Sequence, residues 1–260
     1  MMKNTLIRDT AIRLGCLIVP LMLTACQQES TRNAPVTTTS AAGQSTAPTA
    51  AAAEARDTAL IRVVHAIPAG STVDVFAEDN RVFDNLAFKT ITPYRELDGK
   101  RTTFRLRPAG MNQADALATN TEGLDGGEHY TMFAVPGDGD AAFLRVVKDN
   151  HSLPGTGKAR VRVVHASGDA GEVDVYVVGR TDKLFEGVDF QSVTDYQEID
   201  PVSGSLEVRP EGEANAMLTV PNVRLEAGKT YTVVVIGRVK TAPKLEALVI
   251  ADQAMAATPR

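Results

Sequence analysis

The chain has no tryptophan and only two cysteines, and its five tyrosines and eight phenylalanines make up just 5% of it. Both cysteines, Cys16 and Cys26, lie near the start. The remainder therefore has no thiol for a disulfide, for nucleophilic catalysis or for a Cys-ligated metal. Scarce aromatics also weaken a sugar-binding reading, which wants exposed stacking rings. There is no Gly-x-Ser-x-Gly elbow and no His-Glu-x-x-His pair, so two common hydrolase signatures are missing. Lys and Arg number 27 against 32 Asp and Glu, a formal charge of −5, which argues against nucleic acid or an anionic lipid surface as a partner.

What is present begins with a secretory pattern. Lys3, Arg8 and Arg13 precede the apolar run from Leu14 to Leu23, which is too short to span a bilayer comfortably as a permanent helix. Leu23-Thr24-Ala25-Cys26 then resembles the bacterial lipobox, in which an aliphatic and two small residues precede a cysteine that receives a diacylglyceryl group. Cys16 is a poor rival, because Arg13 stands where that motif needs an aliphatic side chain. The resemblance implies lipidation of Cys26, palmitate incorporation and a membrane partner held through the lipid. Loss of residues 1–25 would remove Lys3, Arg8, Arg13 and Asp9 and take the formal charge from −5 to −7. Acyl chains, at roughly 0.8 kcal/mol per buried methylene, would then provide the membrane hold in place of basic residues. Gln27 follows the cysteine in place of an Asp retention signal, so the expected location in a Gram-negative source is the outer membrane, on the periplasmic or the outer side.

From Gln27 to about Asp57 the sequence is Ser, Thr, Ala, Pro and Gln with almost no large apolar residue, too little to offset chain entropy. It reads as a flexible tether spanning roughly 30 Å as a random coil.

Beyond it the chain repeats. Ile61-Arg62-Val63-Val64-His65-Ala66 returns as Val161-Arg162-Val163-Val164-His165-Ala166, and Val73-Asp74-Val75-Phe76 as Val173-Asp174-Val175-Tyr176. Thr92 and Tyr94 match Thr194 and Tyr196, and Arg107-Pro108-Ala109-Gly110 matches Arg209-Pro210-Glu211-Gly212. Leu124 to Thr131 matches Leu225 to Thr232. The organisation read from this is a lipoprotein signal peptide over 1–25, lipidated Cys26 and tether over 26–57, and two copies over 58–152 and 158–253.

Within each copy polar and apolar residues alternate, as in Phe104-Arg105-Leu106-Arg107 and Leu206-Glu207-Val208-Arg209, the period of half-buried strands. Pro and Gly punctuate at short intervals, and no useful amphipathic helix follows the signal. The expected fold is all-β, two tandem antiparallel sandwiches of immunoglobulin type. Tyr231 to Ile236 is continuously apolar apart from Thr232, as expected of a central strand covered on both sides. The Leu-x-x-Gly-x-x-Tyr spacing ending at Tyr130 and Tyr231 resembles a tyrosine corner; the alternative is a Gly turn entering a strand that begins with Tyr. The short segment Leu153-Pro154-Gly155-Thr156-Gly157 leaves open whether the two copies pack or move.

The linked blocks Arg-Val-Val-His-Ala, Val-Asp-Val-Tyr, Thr-x-Tyr, Arg-Pro-x-Gly and Gly-Lys-Thr-Tyr-Thr-Val-Val-Val resemble the bacterial domain-of-unknown-function 4397 family, over nearly all of residues 58–252. Copy two fits more closely; copy one departs at His129 and Pro136, where copy two has Thr230 and Gly237. The resemblance implies a secreted or lipid-anchored protein with immunoglobulin-like β domains, and it brings no activity and no cofactor.

His65 with Asp74, and His165 with Asp174, are the best candidate polar pairs, read either as a ligand or metal position in each copy or as structurally satisfied strand-end groups. One His and one Asp fall short of the ligands zinc needs. Gly155-Thr156-Gly157-Lys158 lacks the remainder of a phosphate loop, and Asp138-Gly139-Asp140 lacks the other positions of a calcium loop. The expectation is a non-enzymatic binding or scaffolding lipoprotein with a protein partner in the cell envelope, its alternative a small-ligand or metal-binding module at the His/Asp positions.

Overall fold

A computed structural model describes residues 57–68, 72–137 and 141–252. The lipobox with Cys26, the tether and Asp138-Gly139-Asp140 lie outside the described residues. Sixteen strands and no helix run through the described part. In copy one these are β1 (Thr58–His65), β2 (Val73–Ala77), β3 (Asn80–Leu86), β4 (Arg95–Asp98), β5 (Arg101–Pro108), β6 (Ala118–Gly123), β7 (His129–Pro136) and β8 (Ala142–Lys148). Copy two repeats them as β9 (Ala159–His165), β10 (Val173–Val177), β11 (Lys183–Val188), β12 (Gln197–Ile199), β13 (Val202–Pro210), β14 (Leu218–Leu225), β15 (Thr230–Ile236) and β16 (Glu246–Asp252).

Each copy folds into two four-stranded sheets, ordered β4-β1-β7-β8 and β3-β2-β5-β6 in sandwich 1, and β12-β9-β15-β16 and β11-β10-β13-β14 in sandwich 2. The fold is all-β and made of two tandem sandwiches, with one departure from the expected antiparallel sheets. β1 pairs parallel with β7, Ile61 opposite Tyr130 and Val63 opposite Met132, and β9 pairs parallel with β15, Val161 opposite Tyr231. Alternation of side chains sets which face a residue takes but carries no information on the direction of the neighbouring strand.

The central strands are covered on both faces. Along β1, Ala59, Ile61 and Val63 enter the core of sandwich 1 with Phe104, Leu106 and Met132. Val64 points the other way and, with Ala66, meets Phe133, Val135, Val164, Ala166, Val234 and Ile236 in a third cluster drawn from both sandwiches. In β15, Tyr231, Val233 and Val235 face the core of sandwich 2, while Val234 and Ile236 face this shared cluster. The near-continuous apolar runs of these strands follow directly, since neither face meets water. Each fully buried Val, Ile or Phe contributes roughly 1.5–3 kcal/mol of gross burial energy. The two sandwiches accordingly belong to one compact unit.

The connection between them is tied down as well. Pro154 is buried, Gly155 N–H donates to Glu198, and Arg160 donates to the Ser152 carbonyl at 2.8 Å.

Candidate functional site

The seam holds a polar cluster that the two copies build from equivalent residues. Arg62 projects from the same face of β1 as Val64, and its Nε donates to Thr131 Oγ1 of β7 at 2.9 Å. Its Nη2 reaches across the seam to Asp252. Reciprocally, Arg162 Nε donates to Thr232 Oγ1 at 3.0 Å and its Nη2 to Asp149. Each carboxylate is completed from its own sandwich: Asp149 accepts from Thr131 Oγ1 at 2.6 Å and Tyr94 OH at 2.9 Å. Asp252 accepts from Thr232 Oγ1 at 2.7 Å and Tyr196 OH at 2.9 Å. Each guanidinium also lies over the tyrosine ring of its own copy, 4.9 Å from the Tyr94 centroid and 4.5 Å from that of Tyr196.

Every feature of this clasp has a local cause. Thr92 and Thr194 pin the chain that carries the tyrosines. Val63 N–H donates to Thr92 Oγ1 and Thr92 N–H to the Val63 carbonyl, with the same pair between Val163 and Thr194. The threonine thus replaces a strand neighbour where β4 and β12 no longer pair.

Burial sets the electrostatics. The side chains of Arg62 and Asp252 are 6% and 1% exposed, those of Arg162 and Asp149 3% and 0%. Burial opposes ionisation of Asp149, but Arg162, the Thr131 hydroxyl and Arg62 outweigh it and hold its pKa below the usual carboxylate range. For Arg62, burial likewise works against the charge and Asp252 overcomes it, so its pKa is raised. Burial first, and the neighbouring carboxylates with it, push the Tyr94 and Tyr196 hydroxyls up, which keeps both neutral as donors.

The residues singled out from sequence have other positions. β1 and β2 lie in different sheets, and no hydrogen bond joins His65 to Asp74 or His165 to Asp174. Asp74 accepts from Asn85 N–H at 2.7 Å and Gly110 N–H at 3.0 Å, and Arg81 lies at 3.2 Å. Asp174 accepts from Gly187 N–H at 3.0 Å, with the Lys183 ammonium also at 3.0 Å. Asn85 and Gly187 both have positive φ, 52° and 58°, a conformation that Asn and Gly adopt most readily. Each repeated Asp therefore fastens a hairpin bulge and, in copy one, the Arg-Pro-x-Gly turn. The arginine of that turn stacks on the strand aromatic, Arg107 on Phe76 and Arg209 on Tyr176.

His165 bonds the Gly171 carbonyl through Nε2 at 2.7 Å, and its Nδ1 accepts from Ser167 N–H at 3.2 Å. Both ring nitrogens of His65 are buried without a partner among the described residues; the segment equivalent to Gly171, residues 69–71, lies outside them. Desolvation lowers the pKa of His65 to about 4 and that of His165 in the same direction. Tyr130 OH accepts from Asp125 N–H and Tyr231 OH from Glu226 N–H, both at 3.0 Å and both five residues upstream. Among the described residues no group of three or more His, Cys, Asp or Glu is arranged to hold a metal ion, and no helix is long and apolar enough to cross a membrane.

Sequence reasoning passed over the clasp itself. Arg62 and Arg162 sit inside the same repeated block as the histidines, and Thr131 and Thr232 close the last repeated block. Their signal was a charged residue held at the same place in a strand twice over. Beside the clasp a groove of about 530 Å³ opens along one side of the seam, lined among others by Arg145 and Lys148 of β8, Arg160 and Arg162 of β9, and Tyr196 and Glu198.

No curated protein matches the chain. A family model described as a domain of unknown function, DUF4397, matches residues 59–176 and again 173–260, covering both sandwiches. On this match the chain belongs to the DUF4397 family.

Proposed function

We propose that the chain is a lipid-anchored lipoprotein of the cell envelope, and that its two clasped sandwiches act as one rigid, non-enzymatic module for binding or scaffolding a protein partner. The observation that carries this reading is the reciprocity of the clasp. The polar residues that repeat, Arg, Thr, Tyr and Asp, close on each other and hold two sandwiches in one orientation. A fixed pair presents a composite surface to a partner at a smaller entropic loss than two freely jointed domains. Variable loops on a rigid β scaffold are the usual carriers of recognition. The lipobox at Cys26 and the polar stretch behind it supply the anchor and the spacing.

Two measurements test the reading separately. Radiolabelled palmitate should enter the full-length chain expressed in bacteria, and Cys26→Ala should abolish both label and membrane fractionation; an unlabelled wild type would remove the anchor. Crosslinking in intact cells should trap a partner with the wild type and less of it when Arg62 and Arg162 are both replaced by Met. Equal trapping by a chain whose clasp is broken would overturn the rigid-module reading.

A further inference from the structure

The seam is nearly two-fold symmetric, so the places where the copies differ beside it stand out. Strand register makes the comparison exact in position. Arg145 pairs with Phe133 as Leu248 pairs with Val234, and Lys148 pairs with Tyr130 as Ala251 pairs with Tyr231. Arg160 pairs with Thr230 as Leu60 pairs with His129. Three positions that are Leu, Ala and Leu on one side of the seam are Arg, Lys and Arg on the other. All three basic residues line the groove of about 530 Å³, together with Arg162.

We propose that this groove is a binding site for a carboxylate-bearing anion. This deepens the proposed binding role by naming the ligand chemistry, and rests on it only for the case of a protein ligand. The groove's own chemistry points to carboxylate. Arg162 is already closed by Asp149, and Arg160 by Glu198 at 3.3 Å. The side chain of Arg145, on the same wall, is exposed and makes no hydrogen bond or ion pair among the described residues. Lys148 reaches Asp125 and Glu128 at 3.3 and 3.2 Å with its side chain 48% exposed, contacts that an incoming anion can replace. A guanidinium matches the two oxygens of a carboxylate. A concave basic wall on a chain of charge −5 also concentrates positive potential at one place. The volume suits a small ligand or the side chains of a short acidic segment.

The test uses the chain from residue 26 onward with Cys26→Ser, so that neither acylation nor an envelope partner enters the result. It is titrated by calorimetry and amide NMR with citrate and with an end-blocked hexaglutamate peptide, with sodium chloride at matched ionic strength as the reference. Expected is saturable binding of at least one probe, with shifts concentrated on β8, β9 and Thr194 to Glu198. Arg145→Leu with Lys148→Ala should weaken it at least tenfold with the melting temperature held. Glu198→Gln, which removes one of the two carboxylates lining the groove and leaves Asp195, should tighten it several-fold, a gain that misfolding cannot mimic. Binding of hexaglutamate alone assigns the site to an acidic segment of a protein, and binding of citrate assigns it to a free carboxylate. No saturable binding of either probe, or binding unaltered in the Arg145/Lys148 variant, overturns the proposal.

Discussion

Where sandwich 1 meets sandwich 2, each position of one half finds its counterpart in the other: Arg62 and Arg162, Thr131 and Thr232, Tyr94 and Tyr196, Asp149 and Asp252. On the outer strands beside it the agreement ends, with Arg145 answered by Leu248 in the repeat and Lys148 by Ala251. The difference separates two kinds of constraint. A buried guanidinium crossing a seam needs its carboxylate, its hydroxyl and its ring all at once, so neither half can drift without leaving a charge unpaired. Rim positions touch water and are free to diverge, and the basic groove has arisen there.

Breaking the clasp on one side gives the largest effect. Arg62→Met leaves Asp252 buried without its cation, and Arg162→Met does the same to Asp149, so each should lower unfolding free energy by about 3–5 kcal/mol in urea titrations. The two losses should not add, because both arginines serve one network. A fully additive double variant, or a loss under about 1 kcal/mol from either arginine, would show that the halves are held by the apolar cluster alone.

Next come the paired bulges. Asp74→Ala frees the amides of Asn85 and Gly110, and Asp174→Ala frees that of Gly187, where charge-assisted bonds are worth about 1.5–3 kcal/mol. Burial opposes ionisation at both sites, yet those amides with Arg81 or Lys183 outweigh it and keep both carboxylates below their ordinary pKa. Their stabilisation is present above pH 4 or so and fades as pH falls through the depressed values. Losses that fail to shrink in acid would contradict the assignment.

How much of this was legible follows from what period and repetition can encode. Alternation in Phe104 to Arg107 and the doubled blocks were enough for two β sandwiches, because a strand's faces are written in every second residue. The parallel pairing of β1 with β7 was not, since direction is set by where the chain crosses between sheets. The clasp was half visible. Arg62 and Arg162 repeat, but an arginine among valines reads as a water-facing residue when nothing indicates that a second sandwich covers that face. Their partners lie in the dissimilar ends Lys148-Asp149-Asn150 and Ala251-Asp252-Gln253, where the repeat fades. The histidines drew notice as rare and repeated, yet His165 is satisfied by a carbonyl of its own loop.

The buried histidines allow a pH test within copy one, whose strands hold His65 and His129 where those of copy two hold only His165. Desolvation depresses His65 to about 4 and also lowers His129 and His165, so each is neutral in the folded chain while its unfolded form takes up a proton near pH 6.5. Stability from these groups is complete above pH 6.5 and is lost as pH falls toward the folded values. For His65 the loss is about 2 kcal/mol by pH 5. Melting temperature should therefore drop between pH 7 and pH 5, and His65→Gln should flatten that drop more than His129→Gln, whose site is less deeply buried. An unchanged slope in His65→Gln would place the acid sensitivity elsewhere.

The tyrosine corners are the finest comparison. Tyr231 OH accepts the Glu226 amide, whereas Tyr130 OH accepts the Asp125 amide and also donates to the Asp125 carboxylate at 3.3 Å. Phenylalanine keeps the packing and removes only the hydroxyl, so each Tyr→Phe change should lower stability by about 1 kcal/mol. The second bond of Tyr130 is long, and its carboxylate is largely exposed and shared with Lys148, so it should add little. Equal losses at the two corners would locate the stabilisation in the backbone amide, the element both copies keep; a clearly larger loss at Tyr130 would mean that the exposed carboxylate contributes after all.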